Sequence, residues 1–203
     1  VQKAYREKDL DFHQQTAEMA GVQRSLAKTI GLGVMYGMGY HKLARELDME
    51  PQEAKTMLQD FHGKVPFMKG MLEAVMNRAN NKGVIRTLLG RKCRFDLWEP
   101  TSWGVHKALP LNQAQTEYGM SIKRAHTYKA LNRLIQGSAA DQTKKAMVDV
   151  HEELGIVPLI QVHDELDCSV KDEKQGNKIK EIMENCVKLE VPSKVDTELN
   201  ESW

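Results

Sequence analysis

Residues 24–37 read RSLAKTIGLGVMYG. This stretch carries a distinctive side chain at every fourth position: Arg24, Lys28, Leu32 and Tyr36. On an α-helix a step of four residues rotates about 40° beyond a full turn and rises about 6 Å, so the row shares one face roughly 18 Å long. Two cations followed by an apolar and an aromatic residue suit a nucleoside triphosphate, with its phosphates at one end and its base at the other. The alternative is an exposed amphipathic helix with this spacing by chance, but the glycines in the stretch disfavour an ordinary surface helix.

The charge distribution of the chain is uneven although its net charge is only +1 over 203 residues. Residues 78–94 contain six basic residues and no acidic one, and residues 121–147 contain six basic residues and one acidic residue. Residues 164–203 contain eleven acidic and six basic residues, a net of −5. A protein that is neutral as a whole can still present a basic face to a phosphate backbone. A solvated surface with a chance cluster of charges is the alternative.

Cysteine usage and hydropathy narrow the class of protein. Cys93, Cys168 and Cys186 are scattered and form no CxxC pair, which argues against a zinc site and fits a reducing compartment. The sequence contains neither a secretory signal nor an apolar run of about 18 residues. We therefore expect a cytoplasmic protein with no membrane partner. The chain begins at Val1 in charged, helix-favouring sequence, which is typical of the middle of a longer polypeptide.

The periodicity of apolar residues predicts a mainly helical chain with a strand pair late in the sequence. Helices are predicted over residues 11–45 with a break at 21, from 51 onward, and over 66–80, 112–127, 130–154 and 172–189. Residues 84–98 are predicted to form a strand or an extended hairpin. Further strands are predicted over 156–162 and 166–170 as a hairpin, and over 191–199 as an edge strand. Helices that precede a late strand pair favour the α+β class.

The triplet His163–Asp164–Glu165 separates the two apolar runs of the second predicted hairpin. A carboxylate at the tip of a tight hairpin is exposed and rigidly held, which suits a hard cation such as Mg²⁺ with its preference for oxygen ligands. Two-metal phosphoryl transfer needs such carboxylates. Polar residues are also common in turns for local reasons, and by spacing alone His163 is as well explained as a turn histidine.

A third candidate site lies on the predicted helix over residues 130–154. Asn132 and Gln136 are one turn apart and are followed at once by the small residues Gly137, Ser138 and Ala139. Amide side chains can contact acceptor groups in a DNA minor groove with little dependence on sequence. A helix whose amides simply face solvent is the alternative.

Taken together, these elements resemble the family A DNA polymerases, the group of bacterial DNA polymerase I and the phage replicative enzymes. RSLAKTIGLGVMYGMGYHKLARELDM resembles the family's motif B on the long helix of the fingers, and LIQVHDELDCSV resembles motif C, the palm hairpin. ALNRLIQGSAADQTKKAM resembles the palm helix that contacts the primer-template. The dipeptide Gly90–Arg91 and the tripeptide Asp11–Phe12–His13 also resemble landmarks of the family.

The resemblance implies a domain division and a role for each matching residue. It implies fingers over residues 1–118, with the end of an upstream palm at 1–13, and a C-terminal palm portion over 119–203. Arg24 and Lys28 would bind the incoming deoxynucleoside triphosphate, with Lys28 also donating a proton to the leaving pyrophosphate. Asp164 would be a catalytic Mg²⁺ ligand with Glu165 beside it. The residues implied to contact the primer-template DNA or the nascent base pair are Tyr36, Gly37, Asn132, Gln136 and His163.

Two departures from the family pattern qualify these expectations. Leu32 stands where the family usually has phenylalanine or tyrosine in the nucleotide-binding row, which suggests a phage enzyme with altered discrimination against dideoxynucleotides. The motif A aspartate that should complete a two-ion Mg²⁺ site is not found in the sequence. The second carboxylate is therefore expected from a missing upstream palm and thumb segment or from a partner chain. The 203 residues alone are expected to be inactive.

Three alternatives remain open from the sequence. The chain could be a non-catalytic DNA-binding fragment, or one chain of a split polymerase. A single-subunit RNA polymerase would share the Arg-Lys-Tyr row, although the His-Asp-Glu triplet and the QGSAAD segment favour the DNA enzyme.

Overall fold

The computed structural model describes residues 11–201, which fall into two compact units. One unit comprises residues 11–135, and the described part of the other comprises residues 136–201. The division into fingers and palm after residue 118 concerns function, is not tested by these two units, and stays a prediction. The elements confirm the α+β class, because helices predominate and every strand pair is antiparallel.

The first unit begins with a series of helices. Their bounds are Phe12–Ala20 (α1), Arg24–Met35 (α2), Tyr40–Glu46 (α3), Pro51–Lys64 (α4) and Pro66–Lys82 (α5). The predicted break at Gly21 is confirmed, since this residue ends α1 with a left-handed φ of 67°. Proline occupies the first position of both α4 and α5, where its missing N–H removes no helical hydrogen bond.

The main core of this unit lies among these helices. Its fully buried side chains include Ile30 on α2, Leu43 on α3 and Met68 on α5. Helix α4 contributes an apolar stripe with helical spacing: Ala54 and Phe61 are buried in this core, and Met57 and Leu58 pack against it. Burial of one side of α2 leaves its opposite side available to a ligand.

A hairpin follows α5 and is formed by Val84–Arg86 (β1) and Lys92–Arg94 (β2) in antiparallel register, with Ile85 opposite Cys93. Ile85 and Phe95 are buried against Ala79 of α5 and Ala130. The first predicted hairpin is thus confirmed, although it is shorter than the predicted range of 84–98.

A three-stranded antiparallel sheet completes the first unit. Its strands are Leu97–Pro100 (β3), Leu109–Pro110 (β4) and Ile122–Arg124 (β5), with β3 in the centre. The predicted helix over 112–127 is wrong beyond Tyr118. Helix Leu111–Tyr118 (α6) stops at Gly119, whose φ of 72° suits glycine, and the chain then pairs with β3 as β5. A short 3-10 turn, Thr127–Lys129, leads into the next helix.

Helix Ala130–Leu154 (α7) carries the chain into the second unit. There follow a hairpin of Ile160–Val162 (β6) and Glu165–Asp167 (β7), and helix Glu173–Asn185 (α8). Val150 of α7 is buried with Ile179 and Ile182 of α8.

The predicted edge strand over residues 191–199 is wrong, since this stretch forms no strand. Side chains hold it instead: Gln142 Nε2 donates to Ser193 Oγ at 3.0 Å, and the Val195 amide donates to Glu184 Oε1 at 3.0 Å. Pro192 has no N–H to contribute to a ladder.

None of the helices between residues 11 and 201 is long and apolar enough to cross a membrane.

Candidate functional site

Helix α2 presents the predicted row as a single surface. Arg24 begins the helix, Lys28 lies one turn later, and both are exposed. Leu32 is half-buried, and Tyr36 caps the C-terminus with 45 % of its surface exposed. Ala27, Ile30 and Val34, on the opposite side of the helix, are buried, which fixes the rotation of the helix. The surface therefore offers two cations and then an apolar and an aromatic side chain in the predicted order.

Arg24 is held by Asp11, the residue that precedes α1. Arg24 Nε donates to Asp11 Oδ2 at 2.8 Å, and Arg24 Nη2 forms an ion pair with the same oxygen. The other oxygen, Oδ1, accepts from the backbone amides of His13 and Gln14 at 2.7 and 3.1 Å and so caps α1. One carboxylate thus fixes both a helix start and a guanidinium.

The same contacts set the protonation of Asp11. The hydrogen bond from Arg24 lowers the pKa of this carboxyl below its ordinary value, and the Gln14 and His13 amides lower it further, against a smaller opposing effect of burial. Asp11 is therefore a carboxylate throughout the neutral range and neutralises part of the charge on Arg24. The Nη1 edge of the guanidinium is not used in this pair and can donate to a phosphate.

His13 adds a titratable group to this cluster. Partial burial lowers the pKa of His13; the Asp11 carboxylate opposes this effect, and the positive charges of Lys28 and Arg24 reinforce it. Its Nδ1 atom is buried and has no hydrogen-bond partner among residues 11–201. Asp11 and His13 were not predicted as site residues. The available signal was their Asp-Phe-His sequence, with an N-capping aspartate two residues before the histidine.

Gly37 allows a close backbone approach directly after the row. Its φ is 71°, and a Cβ at this position would lie 2.8 Å from the carbonyl oxygen of Tyr128 and 3.2 Å from Tyr128 Cδ2. Any side chain would therefore collide with the backbone as well as strain the left-handed conformation. The segment after α2 is packed against residue 128 in a way that only glycine permits.

The predicted motif at the second hairpin is a two-residue turn. Val162 pairs with Glu165, so His163 and Asp164 form the tip and Glu165 opens β7. His163 has a φ of 53°, as the primed turns of two-residue hairpins require at their first position. Gln161 Nε2 donates to the His163 carbonyl and braces the turn. All three polar side chains at the tip are exposed.

The carboxylates at this hairpin are suited to supply some of the ligands of a Mg²⁺ ion. Asp164 and Glu165 supply the carboxylate oxygens that a hard cation takes. Residues 11–201 contain no group of three or more histidine, cysteine or acidic side chains placed to hold a metal ion. Because side chains alternate between the two faces of a strand, Glu165 and Asp167 lie on the same face of β7. Asp167 Oδ2 is buried without a hydrogen-bond partner within the described range. The hairpin can therefore provide part of a coordination shell.

The amide pair lies where it was predicted, on α7. Asn132 is half-buried and Gln136 is exposed, one helical turn apart. Nearby, Arg133 is held over the Phe95 ring at 5.0 Å. The row on α2, Gly37 and Asn132 belong to the first unit, whereas Gln136 and the hairpin residues belong to the second.

The first unit also contains a cavity of about 490 Å³ between α1, α2 and α4. Its floor is apolar, with Ile30 and Phe61, and Glu53 and Asp60 lie at its edge. None of the predicted site residues lines it. The predicted site residues therefore lie outside this cavity.

Comparisons with known proteins identify the family of this chain. The family model for DNA polymerase family A matches residues 1–203, and the chain belongs to this family. A DNA-directed DNA polymerase of Pseudomonas phage M6 is 37 % identical over 227 residues, which cover 95 % of this chain and 31 % of the phage protein. The thermostable DNA polymerase I of Thermus aquaticus is 32 % identical over 208 residues, covering 95 % of this chain and 23 % of that enzyme.

A solved structure shows the same relationship. The POL domain of Pol1 from M. smegmatis, in complex with DNA primer-template and dNTP, matches with a TM-score of 0.73 and 29 % identity. The match covers 95 % of this chain and 34 % of that domain. The chain thus spans between about a quarter and a third of the length of these relatives.

Proposed function

We propose that this chain is the nucleotide-binding and C-terminal palm portion of a DNA-directed DNA polymerase, a nucleotidyltransferase. The reaction is attack of a primer 3′-hydroxyl on the α-phosphate of a deoxynucleoside triphosphate, with release of pyrophosphate. The observation that carries the proposal is the exposed row of α2, with Arg24 held by Asp11 and Lys28 one turn beyond it. Membership of family A supports it.

The row on α2 binds the incoming nucleotide. Arg24 offers the free edge of its guanidinium to the phosphates, and Lys28 offers a mobile point charge. Lys28 also donates a proton to the leaving pyrophosphate. Tyr36 and Gly37 lie at the base end of the row, where they contact the nascent base pair and the template.

The residues at the tip of the second hairpin would bind Mg²⁺ and contact the primer terminus. Asp164 is a Mg²⁺ ligand, Glu165 supports it, and His163 lies near the primer 3′ end. Bound Mg²⁺ would neutralise the developing charge on the phosphates and favour the attacking hydroxyl. The residues of this chain orient the reactants by charge and position without forming a covalent bond to them.

The second carboxylate of a two-ion site comes from outside the 203 residues. The hairpin region supports this, because its apolar side chains are open to solvent: Val157 is 64 % exposed and Leu159 71 %, with Ile160 and Val162 near 40 %. A two-stranded hairpin with such a surface is marginal alone and needs a further layer. We infer that an upstream palm segment or a partner chain covers it and supplies the missing carboxylate, and that the 203 residues alone do not polymerise.

The duplex contacts come from Asn132 and Gln136, whose amides face the minor groove of the primer-template. The basic stretch of residues 78–94 adds contacts to phosphates, so DNA affinity falls as salt rises. A non-catalytic DNA-binding fragment would share these properties, and turnover decides between the two functions.

Nucleotide binding and turnover are tested separately. Binding of dATP with Mg²⁺ is measured by calorimetry for the wild type, Lys28→Ala and the control Lys42→Ala, which removes an exposed lysine from α3. We expect Lys28→Ala alone to weaken binding. Primer extension is then measured with the chain alone and after addition of a segment carrying motif A. Extension only in the second case supports the proposal, and unchanged dATP binding by Lys28→Ala contradicts it.

A further inference from the structure

A loop outside the three candidate sites exposes a tryptophan completely. Residues 101–108 connect β3 to β4, and Trp103 and Val105 in this loop have relative exposures of 101 % and 105 %. Met120, which precedes β5, is 81 % exposed. Single exposed apolar side chains are common, but a fully exposed tryptophan forgoes the burial of one of the largest apolar surfaces available.

The loop is fastened at its base by specific contacts. The Thr101 amide donates to the Ser121 carbonyl at 3.0 Å, and the hydroxyl groups of the two residues are 2.7 Å apart. Tyr118 donates its hydroxyl to the Lys107 carbonyl at 3.0 Å, and its ring packs edge-on against His106 at 6.1 Å. The tip that bears Trp103 is therefore presented between two anchored ends.

The loop that bears the ring contains one cation and no acidic residue. Residues 101–108 include Lys107, and Glu99 and Glu117 lie on either side of the loop in sequence. Glu99 is paired with Lys123 at 3.7 Å. An aromatic ring on a loop with a net positive charge fits a polyanion with flat rings better than it fits an apolar surface alone.

Arg124 ties this sheet to the basic hairpin. Its guanidinium lies over the Trp98 ring at 4.6 Å, and it donates to the carbonyl of Asn80 at 3.2 Å and to that of Phe95 at 2.8 Å. Phe95 directly follows β2. The loop is thus fixed to the same unit as the exposed cations of the first hairpin, which are Arg86, Arg91, Lys92 and Arg94.

We propose that Trp103 is a stacking platform for an unpaired base of single-stranded DNA, with Lys107 of its loop and the cations of the first hairpin binding the flanking phosphates. A base has a flat face that stacks on tryptophan with little regard to sequence. This site shares no residue with the triphosphate row on α2, so either proposal can fail while the other stands.

The test is titration of the protein with oligo-dT while tryptophan fluorescence and anisotropy of a labelled strand are recorded. We expect the strand to quench the fluorescence, and Trp103→Ala to remove most of this quenching and weaken binding roughly fivefold or more. Trp103→Phe keeps a ring and should retain affinity within about threefold. Trp98→Phe should leave most of the quenching in place, because the Trp98 ring is already covered by Arg124.

Val105→Ala and Met120→Ala are matched controls for an apolar protein partner. Stacking requires the ring, so these variants should bind oligo-dT like the wild type. The proposal is overturned by unchanged affinity of Trp103→Ala, by equal losses in Val105→Ala and Trp103→Ala, or by protection of Trp103 from acrylamide in the free protein. Equal losses would mean that the apolar surface of the loop in general, and not a stacked ring, supports binding. Circular dichroism of each variant establishes that it is folded.

Discussion

Arg24 and Asp11 are joined by a side-on ion pair, in which the carboxylate that caps α1 also receives Nε and Nη2 of the guanidinium. The pair connects the start of one helix to the first cation of the next. It leaves one edge of the guanidinium for a ligand, so Asp11 positions Arg24 without blocking it.

Replacement of Asp11 by asparagine should weaken triphosphate binding. Asparagine still caps a helix well, whereas it does not form an ion pair with Arg24. Because the pair is exposed, we expect a loss of about twofold to fivefold in dATP affinity, measured by calorimetry. Asp48→Asn, at an exposed acid after α3, is the control. Tighter binding by Asp11→Asn would mean that the carboxylate competes with phosphate.

The same pair predicts a loss of stability in acid. The pKa of Asp11 is lowered in the folded protein by the hydrogen bond from Arg24, so its contribution is complete above the ordinary value of 3.8 and is lost as pH falls through the lower folded value. Thermal unfolding from pH 6 to pH 2 should therefore show a larger fall for the wild type than for Asp11→Asn. Parallel curves would show that the pair contributes nothing.

We predict that any side chain at Gly83, which ends α5, destabilises the protein because it would collide with Arg124. Gly83 has a φ of 66°, and a Cβ there would lie 2.7 Å from Arg124 Nη1. We expect Gly83→Ala to lower the free energy of unfolding by more than about 1 kcal/mol, measured with urea. Gly90→Ala is the matched control, because its φ is 87° but nothing lies within 4 Å. Equal losses of unfolding free energy in the two variants would mean that the contact with Arg124 adds nothing to the cost of the left-handed backbone.

Replacement of Gly70 by alanine should have the opposite effect and stabilise the protein. It lies inside α5, without a positive φ, and nothing lies within 4 Å of a Cβ placed on it. Gly70→Ala should raise the free energy of unfolding by roughly 0.5–1 kcal/mol, since alanine restricts the unfolded chain without a clash. A destabilised variant would reveal a close partner of this face of α5 outside residues 11–201.

Leu32 predicts a change in sugar discrimination. Leucine offers no ring to pack under the sugar of a nucleotide on α2, so Leu32→Phe and Leu32→Tyr should change dideoxynucleotide sensitivity and the extension rate of the assembled polymerase. Incorporation ratios of dideoxy to deoxy substrates measure this. Unchanged ratios in both variants would refute the role given to Leu32.

Most helices and both hairpins could be predicted from the sequence because their signals are local. Proline at the start of α4, glycine at the end of α1 and the apolar spacing in α4 each act within a few residues. The strand after Gly119 could not be predicted, because Ile122–Arg124 is extended only through pairing with β3, some 24 residues earlier in the chain.

Positions of single side chains on helices could also be predicted, since the four-residue spacing on α2 defines a face regardless of tertiary structure. The contact of Asp11 with Arg24 could not, because it depends on how α1 folds back beside α2 across Gly21. Likewise, Arg124 joins Asn80 and Phe95 over separations of 44 and 29 residues, which no local pattern encodes.

The turn at His163 restricts which sequences can be selected at that position. With a φ of 53° the backbone is left-handed, a region that histidine, asparagine, aspartate and glycine tolerate and that β-branched residues avoid. A randomised library at residue 163 should therefore return glycine and asparagine as folded members and should be depleted of valine and isoleucine. The residue type at position 163 is therefore limited first by the left-handed backbone conformation, and only then by the contacts of the side chain.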